Sequence, residues 1–184
     1  MRIIAGKYKS RALVSAKGVD VRPVTDRVKQ VIFDVFQTRA RMSDAIVIDA
    51  FAGTGSLGLE ALSRGAQKVF FVEQSPASIL ILQKNISALA VEKFTHVLRE
   101  NAMAYFERCK EQFDIIFADP PYIFEATGDI PSIVFRKRLL NDNGFLVIEH
   151  DKQLQEWSDA ELFDIALKKS FGNTIVTFFH YPQK

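Results

Sequence analysis

One stretch of the chain reads Ile46-Val47-Ile48-Asp49-Ala50-Phe51-Ala52-Gly53-Thr54-Gly55-Ser56-Leu57-Gly58-Leu59-Glu60-Ala61-Leu62. It joins an apolar run, a glycine-rich centre and a segment with apolar residues on one face. This order predicts a buried strand, a tight loop and a helix. Glycines allow the backbone to turn with positive φ and to approach a ligand closely, and the start of a helix offers free N–H groups to an anion. The stretch therefore predicts an α/β fold with a ligand site in the loop between strand and helix.

The glycines of this stretch fit more than one nucleotide-containing cofactor. Gly53, Gly55 and Gly58 satisfy the pattern G-x-G-x-x-G, and Glu73 ends the next apolar run, twenty residues after Gly53. By spacing alone this is also the fingerprint of a dinucleotide-binding protein, in which the acidic residue accepts hydrogen bonds from a ribose. A dinucleotide-dependent oxidoreductase is therefore one alternative for this chain.

Asp49 distinguishes a dinucleotide from S-adenosylmethionine as the cofactor of this loop. Its carboxylate lies at the end of the first predicted strand, four residues before Gly53. Beside a pyrophosphate this charge would be repulsive, whereas beside the ammonium or sulfonium group of S-adenosylmethionine it would be favourable. The sequence therefore favours S-adenosylmethionine as the cofactor.

A second motif, Asp119-Pro120-Pro121-Tyr122, follows the apolar run 113–118. The run predicts a buried strand, whose carboxyl end should open into the crevice where open α/β sheets bind ligands. An exocyclic amine of a nucleobase is a poor nucleophile, and the Asp119 carboxylate and the Pro120 carbonyl are two acceptors that can hold its N–H groups. Each proline fixes φ and lacks an N–H, and Tyr122 can stack on a base released from its own stack. The motif predicts methyl transfer to a nucleobase amine.

The motif alone leaves several alternatives open. Asp and Pro are common in turns that end strands, so a purely structural turn is one of them. An adenine-N6 methyltransferase acting on DNA or RNA would use the same four residues. A non-catalytic RNA-binding or assembly factor could also retain this fold. A cytosine-C5 methyltransferase is disfavoured because position 122 is Tyr where that chemistry needs a Cys nucleophile.

Composition limits the class of protein. At 184 residues and 48% hydrophobic content, the chain is long enough for one well-cored domain. The single cysteine excludes a disulfide framework and a cysteine-rich zinc site, and the three histidines lack metal spacing, so we expect no metal. No apolar stretch approaches 18 residues and no signal peptide is evident. We expect a soluble cytoplasmic protein without membrane contact.

The charge is unevenly distributed. Residues 1–29 contain eight basic and two acidic side chains, whereas the whole chain has a net charge of only +2. The remainder of the chain is therefore acidic. This polarity predicts a basic arm that contacts phosphates while the rest of the domain stays soluble.

Apolar periodicity and turn residues locate the other elements. In the first half of the chain, the predicted elements are short strands over 1–22 with turns at Gly6 and Lys17-Gly18, a helix capped by Thr25 or Asp26, and strands at 69–72 and 97–98 on either side of a helix from Ser75-Pro76. In the second half, they are a short helix before Cys109, a loop over 123–128, a helix over 131–140, a strand over 145–148, and a terminal hairpin turning at Gly172-Asn173. Trp157 is expected to be a packing residue of a peripheral helix, and Cys109 is expected to be a buried or half-buried inert thiol. The sequence leaves open whether the loop over 123–128 closes over substrate.

Residues 2–8, 22–28, 49–65, 119–122 and 170–174 resemble the RsmD family, bacterial methyltransferases that modify guanine N2 in small-subunit ribosomal RNA. The resemblance runs nearly end to end, and its amino-terminal segments are more specific than the glycine loop. It implies a single Rossmann-like class I methyltransferase domain over 42–184, with a seven-stranded, mostly parallel sheet and a C-terminal antiparallel hairpin. A small basic extension over 1–41 would contact the substrate, 16S rRNA within an assembling ribosomal particle.

The same resemblance implies three sets of site residues. Around the target guanine it implies Asp119, Pro120, Pro121 and Tyr122; around S-adenosylmethionine it implies Asp49, Phe51, Gly53, Thr54, Gly55, Glu73, Asn101, Ala102 and Asp119; against RNA it implies Arg2, Lys7, Lys9, Arg11, Arg22, Thr25 and Arg27. One position departs from the pattern. Many such enzymes carry an Asp after the third strand that accepts from the cofactor's adenine amine, whereas here Asn101 stands in that place and can accept without charge.

Overall fold

The structure is a computed structural model that describes residues 1–15, 25–39, 42–121, 124–154 and 156–183, with the side chains of 37–39 left aside. Several features predicted from the sequence lie wholly or partly outside these residues. They are the short strands beyond residue 15 with their turn at Lys17-Gly18, the RNA contact of Arg22, the base-stacking ring of Tyr122 and the first residue of the loop over 123–128.

Helices and strands alternate along most of the chain. The helices are α1 (Asp26–Arg39), α2 (Ser56–Ser63), α3 (Pro76–Leu89), α4 (Ala102–Arg108) and α5 (Ile130–Arg136), and the strands are β1 (Ile46–Ala50), β2 (Lys68–Glu73), β3 (Thr95–Arg99), β4 (Phe113–Ala118), β5 (Leu140–Asp151), β6 (Asp164–Phe171) and β7 (Thr174–His180). The seven strands form one sheet in the order β3-β2-β1-β4-β5-β7-β6. Strands β1 to β5 are parallel, and β7 runs antiparallel between β5 and β6. This confirms the predicted α/β fold with its C-terminal hairpin.

The apolar composition of the central strands follows from burial on both faces of the sheet. Val47, Phe117 and Val147 lie in one apolar cluster with side chains of α1, α2 and α3. Ile48 and Ile116 alternate with them and lie in a second cluster with side chains of α4 and α5. Since each face of β1 and β4 is covered, polar residues on these strands have room only at the strand ends.

The strand order reverses between β1 and β4, because β2 and β3 lie on one side of β1 while β4 and β5 lie on the other. Ligands of open α/β sheets bind outside the carboxyl ends of the strands at such a point. Ala50 pairs with Ala118, and Ala118 pairs with Ile148, so β1, β4 and β5 reach this edge at one level. The chain segments that leave these strands therefore lie side by side.

Residues 1–15 form a compact arm with a tight turn. The turn predicted at Gly6 is present, with φ at 83°, but within residues 1–15 the predicted short strands reduce to one antiparallel bridge between Arg2 and Ala12. The arm packs closely on α2, since a Cβ on Gly6 would lie 1.9 Å from the Ser63 carbonyl oxygen. Its length explains the missing strands, because each half of the arm offers only a few residues before the turn.

Buried polar side chains hold the arm in place. The carboxylate of Glu60, fully buried on α2, accepts hydrogen bonds from the backbone N–H groups of Ile4 at 2.7 Å and Ala5 at 3.0 Å. Asn85 of α3 accepts from the Val14 N–H at 2.7 Å and donates to the Val14 carbonyl at 3.1 Å. These bonds pair the backbone groups of the arm where it packs against α2 and α3.

The arm also contributes to the main core. Ile3 and Leu13 are buried in the same apolar cluster as β1 and α1. The amino-terminal segment therefore packs as part of the sheet's helical layer. The functional division predicted at residue 41 stays a prediction.

Two details of the carboxyl-terminal half differ from the sequence prediction. The helix predicted over 131–140 ends at Arg136, and β5 begins at Leu140. The end is set by Arg138, whose φ is 55°, while the Leu139 N–H donates to the Val134 carbonyl at 3.0 Å in a Schellman-type stop. Leu140 then joins β4 instead of continuing the helix, because it pairs with Phe113.

Trp157 lies on an irregular segment, so the predicted peripheral helix is wrong. Its ring contacts His150 at 4.9 Å and Phe179 at 4.8 Å between centroids, both edge to face. The packing role predicted for the side chain is correct. Cys109, at the end of α4, is buried as expected. No helix among the described residues is long and apolar enough to cross a membrane.

Candidate active site

The loop after β1 turns sharply, and two of the predicted glycines make the turn possible. Gly53 has φ at 55° and Gly55 has φ at 85°, a region that residues with a Cβ rarely adopt. A Cβ on Gly55 would lie 2.4 Å from Leu82 Cδ1 of α3. The loop therefore needs glycine here both for its backbone angle and for its close approach to the neighbouring helix.

Gly58 has a different role from the other two glycines. It lies within α2, and a Cβ there would lie 2.4 Å from the Phe71 ring of β2. Its absent side chain lets the helix pack directly on the sheet. Its N–H donates to Asp49 Oδ2 at 2.8 Å. Gly58 thus brings the start of α2 against the carboxylate at the end of β1.

Asp49 is almost completely buried, with 2% of its surface exposed. Burial raises the pKa of Asp49 to about 7; the hydrogen bond from Gly58 opposes this rise, and the negative charge of Glu73 adds to it. A cation placed beside Asp49 would reverse the effect of burial. The site therefore favours a positively charged ligand group.

The position of Asp49 also argues against a dinucleotide. In dinucleotide-binding folds the pyrophosphate receives the N–H groups at the start of the first helix. Here an N–H of that helix is used by Asp49, so a carboxylate occupies the place where the phosphates would need to approach. The arrangement disfavours the oxidoreductase alternative.

Glu73 closes the other side of the loop at the end of β2. Its Oε2 accepts from the Gly53 N–H at 2.8 Å, and its Oε1 accepts from the Ser75 N–H at 2.7 Å. Each carboxylate oxygen has a further lone pair. The carboxylate is therefore fixed in position and can still accept hydrogen bonds from the two hydroxyls of a ribose.

The glycine loop, Asp49 and Glu73 together fit S-adenosylmethionine. Asp49, whose carboxyl does not ionise easily without a nearby cation, lies near Glu73, whose carboxylate can bind a ribose. The loop between them has no side chain at Gly53 and Gly55. A cationic amino-acid group and a ribose are the two ends that this cofactor would present there.

Other predicted cofactor contacts lie around this cradle. Phe51 packs edge to face on Phe124, with 5.2 Å between the centroids. The hydroxyl of Thr54 is turned toward the arm, 3.9 Å from Met1 Sδ. Ala102 is buried in the core cluster on the α4 side of the sheet. These three contacts stay predictions.

Asn101 has a structural role that the sequence analysis missed. Its amide oxygen caps α4 by accepting from the Ala104 N–H at 3.1 Å, and its amide nitrogen donates to Gln74 Oε1 at 3.3 Å. Asn is a preferred residue at this position of a helix, which was the available signal. An adenine amine would have to share the amide oxygen with the cap.

Asp119 follows β4 directly and begins the second motif. The residue as a whole is half-buried while its carboxyl group is buried, Pro120 is buried and Pro121 is exposed. The pKa of Asp119 lies well above its ordinary range because the carboxyl is buried and because the charges of Glu149 and Asp49 oppose its ionisation. Carboxyls perturbed in this way are concentrated at functional sites.

Glu149 is a carboxylate near Asp119 that the sequence analysis did not single out. Ala118 pairs with Ile148 across parallel strands, so Asp119 and Glu149 follow at the same level on neighbouring strands. Side chains alternate along a strand, which places Glu149 on the face that carries Val147 and the helices α1 to α3. The available signal was an acidic residue directly after an apolar strand, the same pattern that marked Asp119.

A cavity of about 290 Å³ opens beside Glu149. It lies between the start of α1 and the turn of the β6–β7 hairpin, and its lining residues are Thr25, Arg27, Val28, Glu149, Ser170, Phe171, Gly172 and Thr174. The Thr25 hydroxyl caps α1 by accepting from the Val28 N–H at 3.2 Å. The structure therefore brings two predicted RNA contacts, Thr25 and Arg27, to the cavity that contains the second carboxylate.

The other predicted RNA contacts lie on the arm. Arg2, Lys7, Lys9 and Arg11 are all exposed. Arg2 pairs with Asp26 at 3.2 Å, while the ammonium of Lys7 lies 5.3 Å from the centroid of the neighbouring Tyr8 ring. The turn thus displays three cations, at positions 7, 9 and 11, on a rigid support.

Lys29 was counted with the basic arm, but it is structural. Its side chain is fully buried, and Nζ donates to the Arg2 carbonyl at 2.7 Å. Burial lowers the pKa of Lys29, against the raising effect of Glu60 and Asp26. This cation ties α1 to the arm and is not available to RNA.

Comparison with known proteins gives consistent results. A family model described as conserved hypothetical protein 95 matches residues 1–180. The Bacillus subtilis (strain 168) protein YlbH is 31% identical over 182 residues, 97% of this chain and 98% of that protein. Ribosomal RNA small subunit methyltransferase D of Escherichia coli (strain K12) is 35% identical over 149 residues, 81% of this chain and 71% of that protein. The solved structure of yhhF from Escherichia coli matches with a TM-score of 0.85 and 27% identity, covering 100% of this chain and 99% of that one.

Proposed function

This chain belongs to the conserved hypothetical protein 95 family, and from that premise we propose that it transfers a methyl group from S-adenosylmethionine to the exocyclic N2 of a guanine in 16S ribosomal RNA. The resemblance to the RsmD family is confirmed by the 35% identity to ribosomal RNA small subunit methyltransferase D. Methylation of small-subunit rRNA is the activity that this relative's name states. The guanine, its N2 atom, the assembling particle as substrate and the cytoplasm as compartment are the finer parts of the proposal.

One observation carries the chemistry. The Asp119-Pro120 segment leaves β4 at the point where the sheet order reverses, beside Asp49 at the end of the neighbouring strand β1. An acceptor pair for an amine thus adjoins a cradle for a cationic methyl donor. S-adenosylmethionine, when bound, supplies a methyl group whose bond to sulfur breaks, with the electron pair left on sulfur, as the bond to nitrogen forms.

The protein's part in this reaction is positioning. Asp119 and the Pro120 carbonyl accept the two N–H groups of the guanine amine and direct its lone pair toward the methyl carbon. Pro120 is buried and fixed in φ, so its carbonyl is held in place before the substrate arrives. Orientation of this kind accounts for a large share of the barrier reduction in bimolecular transfers. The excess proton on nitrogen leaves to Asp119 or to water.

The acceptor role requires ionised Asp119. Its raised pKa means that the free protein holds a proton there at a higher pH than an ordinary carboxyl does. The N–H donors of the substrate stabilise the ionised form, as hydrogen bonds to a carboxylate do. Methyl transfer should therefore increase as the pH rises through the pKa of Asp119.

The test is to incubate the protein with labelled S-adenosylmethionine and undermodified small-subunit particles, and to map the product nucleoside by mass spectrometry. We expect N2-methylguanosine at one site. N6-methyladenosine as the product would overturn the substrate assignment. Naked 16S rRNA in a parallel reaction decides whether the particle is required.

The companion variant is Asp119→Ala. We expect methyl transfer to fall by at least about 100-fold, because one of the two acceptors is lost. S-adenosylhomocysteine, measured by calorimetry, should bind nearly as in the wild type. Asp164→Ala, at an exposed position of β6, serves as the control and should retain full activity. Wild-type turnover in Asp119→Ala would contradict the mechanism.

A further inference from the structure

The carboxylate of Glu149 has no role in methyl transfer as derived above, yet it lies in the active-site crevice. It is half-buried at the carboxyl end of β5, level with Asp119 on β4, and it lines the cavity that Thr25 and Arg27 also line. Two neighbouring carboxylates repel each other, so this arrangement costs stability in the free protein. A ligand that donates hydrogen bonds to both of them would offset that cost.

Guanine has donors with the required spacing. Its N2 amine and its N1–H are adjacent on one edge of the ring, and both are donors. In adenine, the atom beside the N6 amine is an unprotonated N1. This N1 is a hydrogen-bond acceptor, so a carboxylate repels it. A second carboxylate beside Asp119 therefore distinguishes the two bases, although the Asp-Pro-Pro segment alone serves either of them.

We propose that Glu149 is a specificity-determining residue, whose carboxylate accepts the N1–H of the target guanine while Asp119 and the Pro120 carbonyl hold its N2 amine. The inference rests on the proposed function and deepens it. The cavity of about 290 Å³ that Glu149 lines leaves open space on one side of this carboxylate, from which the nucleotide can approach. The start of α1 bounds the cavity with Arg27, a cation suited to the phosphate of the same nucleotide.

One isosteric substitution can turn the side chain at position 149 from a hydrogen-bond acceptor into a donor. Glu149→Gln keeps the shape of the side chain and gives it an N–H₂ group, which can donate to an unprotonated N1. The matching substrate is 2,6-diaminopurine, which keeps the 2-amino group of guanine but has an acceptor at N1. If Glu149 reads N1, the variant should prefer the base that the wild type rejects.

The experiment uses the full chain and small-subunit particles whose rRNA carries guanine or 2,6-diaminopurine at the nucleotide identified by the mapping experiment. Rates of N2 methylation are compared for the wild type, Glu149→Gln and Glu149→Ala. We expect the wild type to prefer guanine by at least about 100-fold, because a site built around a hydrogen bond rejects an analogue that cannot make it. Glu149→Gln should shift this preference by at least about 100-fold toward diaminopurine, and Glu149→Ala should reduce it without reversing it.

The ratio of the two rates separates specificity from a structural role. A Glu149→Gln variant that retains the wild-type ratio overturns the proposal, whatever its absolute rate, because damage to the fold lowers both rates together. Glu92→Gln, at an exposed position near the opposite edge of the sheet, is the matched control and should leave rate and ratio unchanged. A wild type that forms no N2-methylguanosine overturns the proposed function itself, and the inference with it.

Discussion

We expect the protonation of Asp49 to link the stability of the protein to cofactor binding. Its carboxyl is buried against the start of α2, and its pKa is raised to about 7. A raised pKa in the folded state means that folding favours the protonated form. The stabilising effect is complete below the ordinary pKa of about 4 and is lost as the pH rises through about 7. The ammonium group of the cofactor requires the opposite, ionised form.

Binding of S-adenosylhomocysteine should therefore strengthen as the pH rises from 6 to 8. The wild-type dissociation constant, measured by calorimetry, is expected to fall by up to about tenfold over this range, because protonated Asp49 gives no ion pair with the ligand ammonium. Asp49→Asn should bind more weakly at pH 8 and should lose most of this pH dependence. In the unliganded protein, the same variant should be more stable than the wild type at pH 8, by roughly 2–4 kcal/mol at most.

Asp164→Asn, on the exposed edge strand β6, is the control for this experiment and should behave as the wild type in both measurements. A wild-type affinity that is constant from pH 6 to pH 8 would remove Asp49 as the partner of the ammonium group. We therefore expect the two acidic residues at strand ends to differ, with the Asp119 variant losing turnover and the Asp49 variant losing cofactor affinity.

At the scale of elements, α2 is the link between the active site and the arm. Its first turn approaches Asp49 through Gly58, and the opposite side of the same helix holds the arm through Glu60. Arg64 completes the group by pairing with Glu60 at 2.8 Å. The position of the arm is therefore set relative to the glycine loop by a helix of only eight residues.

Glu60→Gln should detach the arm while leaving the sheet intact. The amide can accept only through one atom, so a buried N–H of Ile4 or Ala5 faces an N–H₂ group, and the ion pair with Arg64 is lost. We expect the free energy of unfolding to decrease by about 2–4 kcal/mol in urea titrations. Amide exchange should accelerate at residues 3–14 and remain slow in β1 and β4, with Glu92→Gln as the control. Unchanged protection of the arm would show that Glu60 does not anchor it.

The elements that the sequence predicted well are those with strong local signals. The strand over 113–118 and the hairpin turn at Gly172-Asn173 match the structure because apolar runs and turn residues act locally. The end of α5 was missed because Leu139 and Leu140 have high helix propensity but are needed in the core and in β5. Glu149 was missed because its proposed role depends on a neighbour, Asp119, thirty residues away in the chain and adjacent only across the sheet.

At the scale of the whole molecule, positive charge and chemistry are spatially connected. Thr25 and Arg27 at the start of α1 line the cavity next to Glu149, and the arm that α1 contacts through Lys29 carries exposed cations. Phosphates fix the register of a nucleic acid on a protein, while base contacts specify its sequence. We therefore expect the arm to contribute RNA affinity and the crevice to select the base.

Replacement of the exposed arm cations Lys7, Lys9 and Arg11 by Ala should weaken RNA binding uniformly and reduce its salt dependence. Each phosphate contact contributes about 0.7–0.9 to the slope of log K against log salt concentration, so the triple variant should lose roughly two units of slope in titrations with 16S rRNA particles. Calorimetry with S-adenosylhomocysteine should give wild-type affinity, because the cofactor cradle does not include these side chains. A triple replacement of Lys93, Arg99 and Lys110, all exposed and far from the arm in sequence, removes the same charge and is the matched control. Equal losses of slope in the two variants would mean that RNA responds to the net charge of the protein and that the arm has no specific role in holding it.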